Sequence, residues 1–116
     1  MNTTSPTRAE VADLCEKAAA VIATQGHCQG HLYDTRQAAG LPVEKCRVDV
    51  IGALNVAAHG TPRYAASPLV AAAERALTSR IEEPCLVTWN DKRGRRADHA
   101  VTLLQTTAIE LRTEPK

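Results

Sequence analysis

The sequence predicts an all-α fold: a compact bundle of about four helices, with one short extended segment before the last. Three observations carry that expectation. Apolar residues recur at spacings of three and four in four separate stretches, each bounded by helix start or stop signals. The apolar supply is Leu, Val, Ile and much Ala, with no Phe, one Trp and two Tyr, which suits close helix packing better than a large aromatic-lined pocket. Only one run, Cys85 to Trp89, is short and rich in β-favouring residues. The alternative is an α+β arrangement in which that run pairs with residues 31–33 as a two-stranded ribbon. At 116 residues the chain reads as one domain, 1–116, with flexible tails at 1–6 and 113–116. That size buries about two-thirds of the surface an extended chain would expose.

Taken in order, Thr7 and Glu10 form a capping box, in which hydroxyl and carboxylate each satisfy an orphan backbone N–H. Val11, Leu14, Cys15, Ala18, Val21 and Ile22 then share one face, and Gly26 stops a first helix of about Arg8 to Gln25. His27 to Pro42 is a long polar connection, of a length that often carries function. From Val43 to His59 a second helix is expected, with Cys46, Val50, Leu54 and Ala57 inward and Gly60 and Pro62 as its stop. Gly52 inside it costs about 1 kcal/mol relative to Ala, a cost that close approach of another backbone would explain. Asp49, at the margin of the apolar stripe, has two readings, a partly buried acid and, as the preferred one, a solvent-facing residue. Ser67-Pro68 caps a third helix running to about Ser79, with Leu69, Val70, Ala73, Ala76 and Leu77 inward. Trp89 is read as a core plug in the extended run. The last helix, about Arg96 to Leu111, carries Ala97, Val101, Leu104, Ala108 and Leu111 as an a/d seam.

Net charge is +1, too balanced for general polyanion binding by the whole surface. No apolar run approaches the roughly 18 residues of a membrane span, and the N-terminus lacks the pattern of a signal peptide. A cytoplasmic location with no membrane contact is the default. Cys15, Cys28, Cys46 and Cys85 then read as thiols or metal ligands rather than disulfides, with Cys15, Cys46 and Cys85 as buried small residues.

Three short motifs carry a resemblance: Gly26-His27-Cys28-Gln29-Gly30, Gly52-Ala53-Leu54 within a helix, and Trp89-Asn90-Asp91 with Gly94-Arg95 before the final helix. In order and spacing the chain resembles a family of small bacterial domains of unknown function. The resemblance implies a compact, mostly helical, cytoplasmic module and brings no activity with it. In that family pattern a threonine caps the helix after the glycine-arginine pair, where this chain has Arg96. A cysteine often precedes Gly-Ala-Leu by three residues, where this chain has Asp49, which argues against a shared metal site there.

The candidate site is the turn of Asn90, Asp91, Lys92, Arg93, Arg95 and Arg96. Four of the chain's 14 basic residues cluster here at the start of the last helix, where the backbone dipole disfavours cations by up to about 1 kcal/mol each. A bound anion would make the arrangement favourable, and nearby Asp91 and Asp98 would do so within a plain solvated turn. A partner would be a protein or a phosphate-bearing ligand, with at most weak, salt-sensitive nucleic-acid contact. His27, Cys28 and His31 are metal candidates without a paired Cys-x-x-Cys knuckle. Cys28 with a neighbouring His is a nucleophile candidate outside any family signature. No phosphate-binding loop, Rossmann glycine pattern or hydrolase motif occurs, so no catalytic residue and no cofactor is assigned. The reading is a non-enzymatic interaction or regulatory module that binds an anionic partner through residues 90–96. Its alternative is a small thiol- or zinc-dependent enzyme centred on Cys28, His27 and His31. A homodimer through the last helix is a further expectation.

Overall fold

A computed structural model describes residues 5–113. It is all-α: among these residues lie five α-helices, two single-turn 3₁₀ helices and no strand. The helices are α1 (Arg8–Gln25), α2 (Val50–His59), α3 (Pro68–Thr78), α4 (Leu86–Asn90) and α5 (Ala97–Thr113). The expected tails fall outside the described residues except for Ser5, Pro6 and Thr113, and Thr113 is the last residue of α5.

Helices α2, α3 and α5 share α1, which packs most extensively on α5, then on α2 and α3, while α4 packs on α2 and α3. Its onset is the capping box: Thr7 Oγ1 accepts from Glu10 N and Glu10 Oε1 from Thr7 N. Arg8 Nε donates to the Leu111 carbonyl and Arg112 pairs with Asp13 and Glu16, so α1 and α5 run antiparallel. A helix clasped from three sides needs a wide apolar arc, and Val11, Ala12, Leu14, Cys15, Ala18, Ala19 and Ile22 supply it. Six alanines, Ala12, Ala18, Ala53, Ala73, Ala100 and Ala108, are wholly buried, which lets the axes approach closely. Ile22, Leu54, Leu77 and Leu104 fill the remaining volume, each worth about 2 kcal/mol of apolar burial. The last-helix seam is spent within the chain: Leu104, Ala108 and Leu111 are buried, joined by Ala100 and Thr107, while Ala97 and Val101 are half-buried.

Four expectations need correction. The second helix begins at Val50, not Val43; Val43–Lys45 is a 3₁₀ turn, and the chain is extended from Cys46 to Asp49. Cys46 and Val48 are buried around an exposed Arg47, an alternation that suits an extended segment, and Val48 bridges both His27 and Tyr33. Asp49 is buried, because it caps α2 with its carboxylate. Cys85 to Trp89 forms no ribbon with residues 31–33, whose Tyr33 pairs instead with Val48. The run is the single-turn-plus helix α4, because Leu86 and Trp89, three apart, reach the core together. Cys85 precedes that helix and is exposed, its thiol held below the usual range by hydrogen bonds to the Thr88 hydroxyl and backbone.

Candidate functional site

The three sequence motifs meet in one hydrogen-bonded junction. After α1, Gly26 takes a positive φ of 98° and turns the chain back along residues 46–49. Val48 N donates to Gly26 O, Cys28 N to Val48 O and Asp34 N to Arg47 O, so the 26–34 loop lies beside the 46–49 segment. Gln25 Nε2 donates to Cys46 O at 2.7 Å and secures the same seam. Gly52 stands where that loop crosses α2: a Cβ there would lie 2.1 Å from the Leu32 carbonyl oxygen. The close approach that would justify a glycine inside a helix is therefore present.

Asn90, 1% exposed at the end of α4, is the centre of the junction. Its Oδ1 accepts from Val50 N at 3.1 Å and from His27 Nε2 at 2.7 Å. Its Nδ2 donates to Cys28 O at 3.1 Å and to Asp91 Oδ1 at 2.9 Å. These partners orient the amide, since a backbone N–H needs the oxygen and a carbonyl needs the nitrogen; they also require His27 to carry its proton on Nε2. Asp91 Oδ1 accepts from Gly30 N, and Gln29 Nε2 donates to the carbonyls of Asn90 and Lys92. The α2 N-terminus is thereby fully occupied. Asn90 takes Val50 N, Asp49 Oδ1 takes Gly52 N at 2.6 Å, the Asp49 carbonyl takes Ala53 N, and Asp49 also meets Ile51 N.

The basic turn divides into structural and exposed cations. Arg95 lies 4.0 Å over the Trp89 ring, donates through Nε to Trp89 O at 2.8 Å and reaches Glu83 at 3.5 Å, with its side chain 17% exposed. It belongs to the core's edge, as a stacked guanidinium on the junction's aromatic floor. Lys92, 63% exposed, shares Glu83 at 3.7 Å, and Arg96, 72% exposed, meets Asp98 at 3.5 Å. Arg93 forms no ion pair among the described residues. The counter-charge that an uncapped helix at Arg96 requires comes from the chain itself. His99 Nδ1 accepts from Arg96 N at 3.0 Å, the part a Glu plays in a capping box, and Asp98 adds a carboxylate to the first turn. A shallow cleft of about 550 Å³ borders the turn, lined by Glu83, Val87, Thr88, Asp91 and Lys92. Val87 in it is 47% exposed.

Of the predicted site residues, Asn90, Asp91 and Arg95 are thus consumed by architecture, while Lys92, Arg93 and Arg96 face outward. Among the described residues, His27, Cys28 and His31 do not gather as a metal site. His27 Nε2 is committed to Asn90, and the Cys28 thiol points at the carbonyls of His31 and Arg47, 3.5 and 3.6 Å away. Burial, then the fields of Asp49, Asp34 and Asp91, push that thiol up to about 12, so it is protonated and a poor nucleophile at neutral pH. Among the described residues no three His, Cys, Asp or Glu side chains gather as a metal site. Sequence reasoning gave no site role to Gln25, Gln29, Asp49, Glu83 and His99. Asp49 had a legible signal, since an Asp directly before an apolar helical run is a cap; Glu83 had none, its role being set by where α4 brings Arg95.

All four cysteines are free, and among the described residues no helix is long and apolar enough to cross a membrane. No curated protein and no solved structure matches the chain. A family model does match, over residues 6–110, a span that contains every element of the junction. The chain belongs to that family, the family of unknown function DUF6197.

Proposed function

We propose that the chain is a non-enzymatic, cytoplasmic interaction module that presents the 91–96 turn and the adjoining 29–31 loop as one rigid surface to an anionic partner. The observation that carries this reading is the junction itself. Asn90, Asp91 and Gln29 hold two polar loops together, and the side chains left outward on the turn are Lys92, Arg93 and Arg96. The partner is read as an acidic protein segment rather than a bare polyanion. The turn's four cations face three nearby carboxylates, Glu83, Asp91 and Asp98, which leaves too little net charge for strong counterion-release binding. The cleft beside them offers exposed Val87, an apolar contact that a peptide side chain uses and a phosphate backbone does not. Four unpaired thiols suit a reducing compartment.

The test is retention at low salt on immobilised poly-glutamate and on heparin, for the wild type and a Lys92→Ala, Arg93→Ala, Arg96→Ala variant. Arg95 stays in place, because its removal would damage the fold and confuse the result. The wild type is expected to be retained on poly-glutamate and the triple variant to elute early with an unchanged circular dichroism spectrum. Equal retention of the two proteins would remove the reading. Stronger retention on heparin than on poly-glutamate would turn it toward a phosphate- or sulfate-bearing partner.

A further inference from the structure

A groove of about 370 Å³ adjoins the turn and follows α5 away from it. At the turn end it is lined by Trp89, with Arg95 stacked on the ring at 4.0 Å, and half-buried Leu103 continues the apolar floor. Exposed Thr102 and Thr106 also line it, and their hydroxyls make no hydrogen bond among the described residues. From Asp98 to Thr106 the helix advances roughly 12 Å, the reach of about four residues of extended chain.

Charge is distributed unevenly along this groove. At the turn end Arg96 is 72% exposed, and Arg93, also exposed, forms no ion pair among the described residues. Asp98, which lines the groove, is answered by Arg96 at 3.5 Å, and beyond His99 the lining is neutral. The cleft at Val87 differs, because Glu83 and Asp91 both line it; an acidic segment gains an apolar contact there but is repelled from lying along it. A chain that complements the α5 groove therefore needs carboxylates at the turn end and an apolar side chain over Trp89 and Leu103. Its backbone supplies partners for the two threonine hydroxyls. Trp and Arg, which meet in the floor, are side chains enriched where interfaces bind most strongly.

We propose that the α5 groove is the specificity pocket of the turn. It takes an extended acidic protein segment in which carboxylates on Arg93 and Arg96 are followed by one leucine-sized apolar side chain seated on Trp89 and Leu103. The inference rests on the reading of the turn as an anion-binding surface and names the partner that surface selects. Charge alone brings any acidic segment to the turn, and the groove separates those that carry an apolar residue next to their acids. Seating that side chain adds about tenfold in affinity, the value of partly burying leucine in place of alanine.

The experiment compares two blocked, dye-labelled peptides, one of four glutamates followed by leucine and serine, the other with alanine for leucine. Anisotropy measures affinity, and the emission of Trp89, the single tryptophan, reports on the groove. The wild type is expected to bind the leucine peptide about tenfold more tightly, with a blue shift of Trp89 as water leaves the groove. Thr102→Gln with Thr106→Gln lays long neutral side chains into the groove from exposed helical positions. That double variant should bind both peptides with the weaker affinity. Equal affinity of the wild type for the two peptides, or a leucine preference kept by the double variant, would overturn the proposal. Equal binding that is lost in the Lys92→Ala, Arg93→Ala, Arg96→Ala variant would overturn the groove and leave the turn as an anion site. Binding of neither peptide would remove both.

Discussion

Replacing Gly52 by alanine reverses the usual rule for a glycine inside a helix. On propensity alone the change should stabilise α2 by about 1 kcal/mol. Here the added Cβ would stand 2.1 Å from Leu32 O and 3.0 Å from Leu32 C, where ordinary contact begins at 3.4 Å. The obstacle is backbone, so no rotamer change relieves it. The 26–34 loop must withdraw by about 1 Å, which opens the bond from Asp49 N to Leu32 O, already 3.2 Å long. Overpacking of this kind costs about 1–3 kcal/mol and the lost buried hydrogen bond about 1 kcal/mol more. Set against the propensity gain, the net is a destabilisation of about 2 kcal/mol, or a fall of roughly 8 °C in Tm for a chain of this size. Urea unfolding followed at Trp89 measures it. A Gly52→Ala protein as stable as the wild type, or more so, would refute the packed-backbone account of this glycine.

Asn90→Asp preserves shape but turns both Nδ2 donations into repulsions, leaving Cys28 O and Asp91 Oδ1 facing a carboxylate; a loss of about 3 kcal/mol or more is expected in urea, and wild-type stability would show that the amide does not hold the junction. Arg95→Ala should cost about 1–2 kcal/mol and shift Trp89 emission, since it removes the stacked guanidinium. Arg93→Ala, at an exposed position, should stay within about 0.5 kcal/mol of the wild type; equal effects at the two sites would erase the division of the turn. Arg96→Thr supplies the side-chain cap that α5 lacks and should raise stability by about 0.5–1 kcal/mol in thermal unfolding. A neutral or lower Tm would mean that the Arg96–Asp98 pair and the His99 contact already do the work of a cap.

How much of the molecule is legible in its sequence depends on whether the deciding interaction is local. Helices α1 and α3 are marked by Thr7 with Glu10 and by Ser67-Pro68, and their inward faces follow from spacing, because caps and periodicity act within a few residues. The glycine at position 52 also announced a close neighbour without naming it, and the neighbour is the Leu32 carbonyl. The segment from Val43 to Asp49 misled because its apolar residues fit a helical stripe as well as an extended one. Pairing with residues 27 and 33, distant in the chain until the fold forms, decided between them. Cys85 to Asn90 misled for a related reason: β-favouring residues close into a helical turn because Leu86 and Trp89 must both reach the core.

The candidate site follows the same division. The sequence by itself determined that cations crowd the onset of the last helix, that its cap is weak, and that three motifs stand in a fixed order. Only the tertiary structure decided what they do. It turned Asn90, read as part of a binding turn, into the centre of the junction, placed Arg95 on Trp89, and buried an acid at Asp49 that composition would leave in water. The physical reason is that hydrogen-bond partners and desolvation are set by which residues meet across 40 to 63 positions of chain, and no local pattern encodes that meeting.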